Sequence, residues 1–353
     1  MSDMNRSRPV TLKDVAALSG VSVPTASRVL NGGGTVSEAT RKRVWDAAEA
    51  LDFRPNSLAL SLALGKSFVV GVLAQKATGN FSTPVITGIV GELSRRDVAV
   101  LVYDDGEDAD CRAQNVRTLQ ARRVDGVIVV GDGTDVPLPS VTDAFTVPVV
   151  HAYGVSDDPR DTSFLPDDIQ AGEIAMRHLI SRGARRIMHV TAMDYSGSVR
   201  DRLAGARHVL DEHGMDFVAP VMHGDWTTPW GYHAALDIIE RGVEVDAIFC
   251  GNDYIAIGIS RAFERAGIRV PEDVALIGYD HWTKYSGSPD HSLTSIDPEL
   301  DRLGSVTVEA LLSPDPAARP GGKVRRPVHL VPGMSTGEVA ALWDTEFTFP
   351  PSP

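Results

Sequence analysis

Two sets of side chains in this sequence stand out as able to grip another molecule. The first lies near the start, where Val23, Pro24, Thr25, Ser27 and Arg28, followed by Asn31, take the outward positions of a short helical pattern. Hydroxyls and amides bond phosphate oxygens, an arginine forks onto a guanine edge, and an isopropyl group covers a thymine methyl. The second set is spread through the later chain: Gln75, Asn80-Phe81, Asp104, Asp132, Tyr153, Asp194, Asp225-Trp226, Asn252-Asp253 and Asp280-His281-Trp282, with Arg202 among them. Carboxylates and amides suit hydroxyls, Arg202 suits a vicinal diol or an anion, and Phe81 or Trp226 suits the apolar face of a ring. Catalytic signatures are missing. There is no H-E-x-x-H and no G-x-S-x-G; Gly131-Asp-Gly133 lacks the third glycine of a dinucleotide loop, and Gly32-Gly-Gly34 lies between helices. His208 and His213 share no metal spacing, and Cys111 and Cys250 form no C-x-x-C. The expectation is ligand binding without turnover, with no cofactor and no metal.

The first set needs a rigid helical platform, and residues 11–51 can provide it. Thr11-Leu-Lys-Asp14 reads as a capped helix start, with Leu12, Val15, Ala16 and Leu18 as its apolar stripe and Gly20 as its end. Ser22 caps a second helix whose Pro24 sits in the first turn and whose Ala26, Val29 and Leu30 face inward. Small residues at Ala16, Gly20 and Ala26 fit two helices crossing over a tight turn. A third helix follows the Ser37 cap through Val44, Ala47, Ala48 and Leu51. On these residues alone the pattern fits either a helix-turn-helix or a three-helix bundle that only packs. Beyond it, Pro55 to Gly65 forms a short segment whose Leu58, Leu60, Leu62 and Leu64 need cover. That cover is a second copy of the segment and a DNA minor groove, or the protein's own body.

The second set needs strand ends. From Phe68 onward, apolar runs alternate with helical patterns: Phe68–Leu73, Val98–Tyr103, Gly126–Val130 and Val147–Val150, then again Arg186–Val190, Asp246–Cys250 and Val274–Tyr279. Such repetition predicts parallel sheets covered on both faces, in two similar α/β lobes. Ligands of open parallel sheets lie beyond the carboxyl ends of the strands, which is where the second set falls. Each member also has an ordinary explanation: Asn252 and Asp253 as helix caps, Asp104 and Asp132 as turn residues, Trp282 as core.

The charge distribution separates the two sets. The whole chain carries a net charge of -13, which on its face opposes nucleic acid. Residues 1–66, however, hold nine Lys+Arg against six Asp+Glu, and the remainder 25 against 41, so a basic head is joined to an acidic body. A composition 43% hydrophobic and 23% charged is that of a globular protein, and no apolar run reaches the roughly 20 residues of a spanning helix. The polar, basic start has no secretory apolar stretch, so a cytoplasmic location is expected.

Val10 to Gly32, then Val36-Ser-Glu-Ala-Thr-Arg-Lys-Arg-Val and Phe53-Arg-Pro-Asn56, resemble the head of the lactose/galactose repressor family. The resemblance implies that Val23, Pro24 and Arg28 read bases and that Thr11, Ser22, Thr25, Ser27 and Asn31 hold phosphates. Asn56, Ala59 and Leu62 would contact DNA from a hinge helix, Leu62 as its minor-groove lever. Ser198-Val-Arg-Asp-Arg-Leu-Ala-Gly205, Gly224-Asp-Trp226, Asn252-Asp253 and Gly278-Tyr-Asp280 match the family's pocket motifs. They imply that Arg202, Trp226, Asn252 and Asp280 touch an effector, with Phe81 on the opposite lobe; Gln75 and Tyr153 complete the expected set. Two departures stand in the head: Ala26 where the family often has Val, and no basic residue between Arg54 and Lys66. Tyr153 stands where one sugar-binding relative has Asp.

The expected organisation is a helix-turn-helix head over 1–53, a hinge helix and linker over 54–67, and an effector-binding domain over 68–340. Within that domain, lobe one takes about 68–160 and 296–323 and lobe two about 161–295 and 324–340; residues 341–353 form a loose tail. The body fold implied is two doubly wound lobes of the periplasmic-binding-protein type. The function implied is a transcription regulator, a repressor in most relatives, whose hold on DNA changes when a sugar binds between the lobes. The tail lacks a leucine heptad, so a homodimer on a near-palindromic operator is expected rather than a tetramer. A nucleoside or purine is the alternative effector. A sugar receptor without DNA function and an α/β enzyme are the rivals from other classes.

Overall fold

The computed structural model describes residues 10–30, 36–53, 65–106, 108–133, 137–285 and 292–337. The chain forms two compact units: the head to Val69 together with Arg122–Asp125, and the rest of the body. Asn31, Asn56, Ala59 and Leu62, most of the hinge segment and the tail lie outside the described residues.

The head contains α1 (Leu12–Ser19), α2 (Val23–Leu30) and α3 (Glu38–Ala50). Thr11 and Asp14 close a capping box, and Gly20 ends α1 with a φ of 66°, a conformation that glycine adopts without a Cβ penalty. Val15, Ala16, Ala26, Val29, Val44, Ala47 and Ala48 form one core. Leu18, expected in the inward stripe, is instead 57% exposed, and Ser19 is buried. The serine can be buried because its Oγ donates to Val15 O at 2.7 Å, so its hydroxyl needs no water. Leu12, Leu30 and Leu51 pack on the core while partly exposed.

In the first lobe of the body, β1 (Val69–Ala74), β2 (Ala99–Asp104), β3 (Gly126–Val130), β4 (Val149–Ala152), β5 (Thr162–Pro166) and β11 (Gly322–Arg326) form one sheet in the order β11-β5-β4-β3-β1-β2. Its pairings from β11 through β1 are parallel, for instance Val72 opposite Ile128. The helices α4 (Ser82–Arg95), α5 (Ala109–Arg122) and α10 (Leu300–Leu312) belong to this lobe. Val72, Ile128 and Val150 meet Ile89 of α4 and Leu303 of α10 in its core. The second lobe has a parallel sheet in the order β7-β6-β8-β9, from β6 (Ile187–Thr191), β7 (Met222–His223), β8 (Ala247–Cys250) and β9 (Ala275–Ile277). Its helices are α6 (Asp168–Ser181), α7 (Gly197–Glu212), α8 (Thr228–Glu240) and α9 (Asp253–Ala266). A separate antiparallel pair, β10 (Ser295–Asp297) and β12 (His329–Val331), lies where the chain passes between lobes.

Sequence periodicity overlooks β5, and for a physical reason. Thr162 and Ser163 are fully buried, yet their hydroxyls accept from the backbone N–H groups of Gly321 and Ser156, so a polar pair occupies a core strand. This strand keeps the chain in the first lobe to Pro166, past the boundary near 160. The later crossings follow Asp297 and Arg326. Among the described residues no helix is long and apolar enough to cross a membrane.

Candidate functional site

In the head, the outward face of α2 carries the expected polar and apolar set. Ser22 accepts from Thr25 N at 3.3 Å and its Oγ lies 2.8 Å from Thr25 Oγ1, which fixes both hydroxyls at the helix start. Val23, Pro24 and Arg28 are exposed, while Thr25 and Ser27 are half-buried. Arg28 Nε donates to Pro24 O at 3.3 Å, which lays the guanidinium back along the same face. Thr11 is half-buried, its hydroxyl donating to Asp14 at 2.7 Å. This face can offer hydroxyls, helix N-terminal N–H groups and one guanidinium to a phosphate-lined groove.

In the body, Phe81, Tyr153, Arg202, Trp226, Asn252 and Asp280 follow the carboxyl ends of strands of the two lobes, Arg202 from within α7. Their anchor is Arg202. Helices α6 and α7 cross with Gly172 against the Arg202 carbonyl and Gly205 against the Ile169 carbonyl, an approach that any Cβ would block. That crossing brings Arg202 to Asp168 in the first turn of α6: Nε donates to Asp168 Oδ1 at 2.8 Å and Nη1 to Gly251 O at 2.6 Å. The guanidinium lies 3.3 Å from the centroid of the Tyr279 ring and 5.7 Å from that of Trp226, and only 4% of the residue is exposed. Burial alone would lower its pKa, but Asp168, Tyr279 and Asp280 together raise it, so the charge stays fixed.

Asn252 caps α9, its Oδ1 accepting from Ile255 N at 2.9 Å, while its Nδ2 donates to Trp226 O at 3.3 Å. One side chain thus both caps α9 and ties its start to Trp226. Asp280 is buried. Its Oδ2 falls short of a good hydrogen bond, and burial first, then the negative charges of Asp253 and Asp168, hold its pKa well above the carboxylate range. Arg202 and the Trp282 side chain oppose that rise. Burial, reinforced by Asp280, likewise keeps the Tyr153 phenol protonated.

The lobes also meet through aromatic rings. Phe81 of the first lobe stacks on Tyr153 at 5.4 Å and tilts against Trp282 of the second lobe at 5.1 Å, and Trp282 stacks on Tyr254 at 5.9 Å. A cavity of about 600 Å³ opens beside them, lined by Asn80, Thr83, Pro84 and Thr87 on one side and Tyr254 and Trp282 on the other. Gln75 is drawn elsewhere: its Oε1 accepts from Asp132 N at 3.3 Å, and it lines a different cavity of about 710 Å³ with Arg112 and Arg117.

Two members of the site escaped the sequence reading. Asp168 follows β5, so the rule of inspecting residues after strands would have found it had that strand been legible. Tyr279, between the matched Gly278 and Asp280, reads as core until Arg202 is seen on its ring. Trp282 was among the residues singled out after the strands, and it stands against Phe81 of the opposite lobe.

Comparison with known proteins finds relatives of both the head and the body. Residues 11–56 match the model of bacterial regulatory proteins of the lacI family. Residues 67–324 match the model of periplasmic binding proteins and the sugar-binding domain of the LacI family. The ribose operon repressor of Escherichia coli is 29% identical, over 86% of this chain and 92% of that protein. The HTH-type transcriptional repressor PurR of Aliivibrio fischeri is 30% identical, over 86% of this chain and 90% of that one. Among solved structures, the lac repressor dimer bound to operator and the anti-inducer ONPF superposes with a TM-score of 0.68 at 28% identity, covering 93% of this chain and 99% of that one.

Proposed function

This chain belongs to the LacI family of bacterial regulatory proteins, and on that premise we propose that it represses transcription from a near-palindromic operator and is released by a neutral sugar. The reading takes the protein as a homodimer acting beside DNA in the cytoplasm, without catalytic turnover. Val23, Pro24 and Arg28 are its base readers, and Thr11, Ser22, Thr25 and Ser27 its phosphate contacts. Asn31, Asn56, Ala59 and Leu62, which lie outside the described residues, join them by the family resemblance. The division into a head over 1–53, a linker over 54–67 and an effector domain over 68–340 is part of the same proposal.

One observation carries the choice of effector. The site at the strand ends offers carboxyl oxygens and aromatic faces, while its single buried guanidinium is already engaged by Asp168 at 2.8 Å. A hydroxyl-bearing ring can donate to Asp280 and lie against Phe81, Tyr153 or Trp226, with Asn252 and Arg202 beside it. A phosphate ester would bring two negative charges to a pocket whose cation is spoken for, a cost that burial magnifies. Gln75 is the least supported member of the set. A purine or nucleoside is the second reading, favoured by the ring stack of Tyr153, Phe81 and Trp282, on which a flat base could lie.

The deciding experiment is binding of the pure protein to DNA from upstream of its own gene, titrated with sugars, sugar phosphates and nucleosides. Release by a neutral sugar is expected. Failure to prefer any genomic sequence would sink the regulator reading; tightening of the complex by a compound would replace release with co-repression.

A further inference from the structure

Asp253 begins α9 immediately after Asn252, and its carboxylate is almost wholly enclosed. Its Oδ1 accepts from Ser295 Oγ at 2.6 Å and its Oδ2 from Trp282 N at 3.0 Å, while its own N–H donates to Tyr279 O at 2.9 Å. Ser295 Oγ in turn accepts from His281 N at 3.1 Å. One carboxylate therefore holds two successive backbone N–H groups, one directly and one through a hydroxyl. Gly278 lies so close to Oδ1 that a Cβ there would strike it.

The segment held in this way is strained. Asp280 has a φ of 102° and His281 a φ of 49°, two successive non-glycine residues on the left-handed side of the map. Such conformations persist only where the surroundings over-determine them, and they gather at ligand clamps. Here they have a visible outcome: Asp280 is buried in the ligand site, and Trp282 reaches Phe81 of the opposite lobe at 5.1 Å. On its other side the turn is tied to the passage between lobes, since Asp280 N donates to Ile296 O at 3.0 Å and Ser295 itself lies in β10.

We propose that Asp253 is the positioning residue of the effector site, its carboxylate holding the Asp280–Trp282 turn in its strained form and coupling that turn to the crossing strand β10. The assignment rests on the effector reading given above, but its test needs no effector. The bonds require an ionised carboxylate. A proton on Oδ2 would face the Trp282 N–H donor, and a proton on Oδ1 would turn the Ser295 hydroxyl away, so either leaves a donor without its acceptor. Burial pushes Asp253 up to about 6, against the bonds from Ser295 and Trp282 and the nearby His281, which hold it lower. The other titratable groups facing it are the Cys250 thiol of β8, Tyr279 after β9, and Asp280 and His281 of the turn.

The experiment follows Trp282 emission in the full chain across roughly pH 5 to 8, taken as the difference between the wild type and a Trp282→Phe variant. A single transition centred near pH 6 is expected in the wild type and lost in Asp253→Asn, which also separates it from titration of His281. Ser295→Ala, which removes one bond and leaves the carboxylate, should move the midpoint upward; this keeps the test open if Asp253→Asn does not fold. A flat wild-type profile, or the same transition in Asp253→Asn, overturns the assignment. A flat profile in a protein whose operator is released by a sugar sinks Asp253 alone. The transition in a protein that answers to no ligand upholds Asp253 and sinks the effector reading.

Discussion

Replacing Arg202 by Met removes the cation that pairs with Asp168 while keeping much of the side-chain volume. In the folded protein Asp168 is 5% exposed and its Oδ1 takes the Nε of Arg202 at 2.8 Å, so the variant leaves a carboxylate enclosed without its partner. Breaking a buried pair on one side costs about 3–5 kcal/mol, because the remaining charge keeps its desolvation penalty and loses its compensation. The Gly251 carbonyl also loses its donor, and the Tyr279 face its cation. Asp168→Asn alone should be comparably costly, since it strands the guanidinium instead. The double variant Asp168→Asn with Arg202→Met leaves no net charge behind and should cost well under the sum of the two, with a coupling of roughly 2–3 kcal/mol. Urea unfolding at neutral pH, followed by probes in the body, measures all four corners of the cycle. Additive losses, or a single Arg202→Met cost below about 1 kcal/mol, would refute the view that Arg202 is held by a dry ion pair.

Three further expectations concern other parts of the molecule. Asp280 is protonated more readily in the folded protein than in the unfolded chain, so the stability it lends is complete below the ordinary aspartate range and lost as pH rises through its raised value. Asp280→Asn should therefore stabilise the body at neutral pH, with the gain fading as the solution is acidified; a variant less stable at every pH would contradict this. Burial lowers His189 from 6.5 to about 4, so the unfolded chain binds its proton first and stability falls as pH drops through that window. The loss is about 3 kcal/mol for this group, and His189→Gln should show a correspondingly flatter acid limb in denaturant titrations. Arg28→Ala should relax preference at one base position per half-site by roughly 1–3 kcal/mol in selection from randomised operators. Uniform weakening across all sequences would make Arg28 a phosphate contact instead.

Much of the molecule is legible in the sequence because its signals are local. The Thr11–Asp14 box, the Ser22 and Ser37 caps, Gly20 and the small residues of the helix crossings each act within a few positions, and they place three helices and an outward α2 face without knowledge of anything distant. The apolar runs of Val70 to Leu73, Gly126 to Val130 and Ala247 to Cys250 likewise fix parallel strands, and with them the edge where ligand residues must stand. What sequence could not decide depends on groups far apart along the chain. Thr162 and Ser163 look like loop until Gly321 and Ser156 are seen to satisfy them, and with that strand unread Asp168 is unread as well. That Arg202 belongs to Asp168, 34 residues away, and lies on Tyr279 is a matter of how α6 and α7 cross. That Asp253 holds Trp282 and Ser295, 29 and 42 residues on, is decided only when β8, β9 and β10 come side by side. Residue types and spacing set which side chains reach the site; burial and long-range pairing, which exist only in the folded chain, set their charge, their partners and their aim.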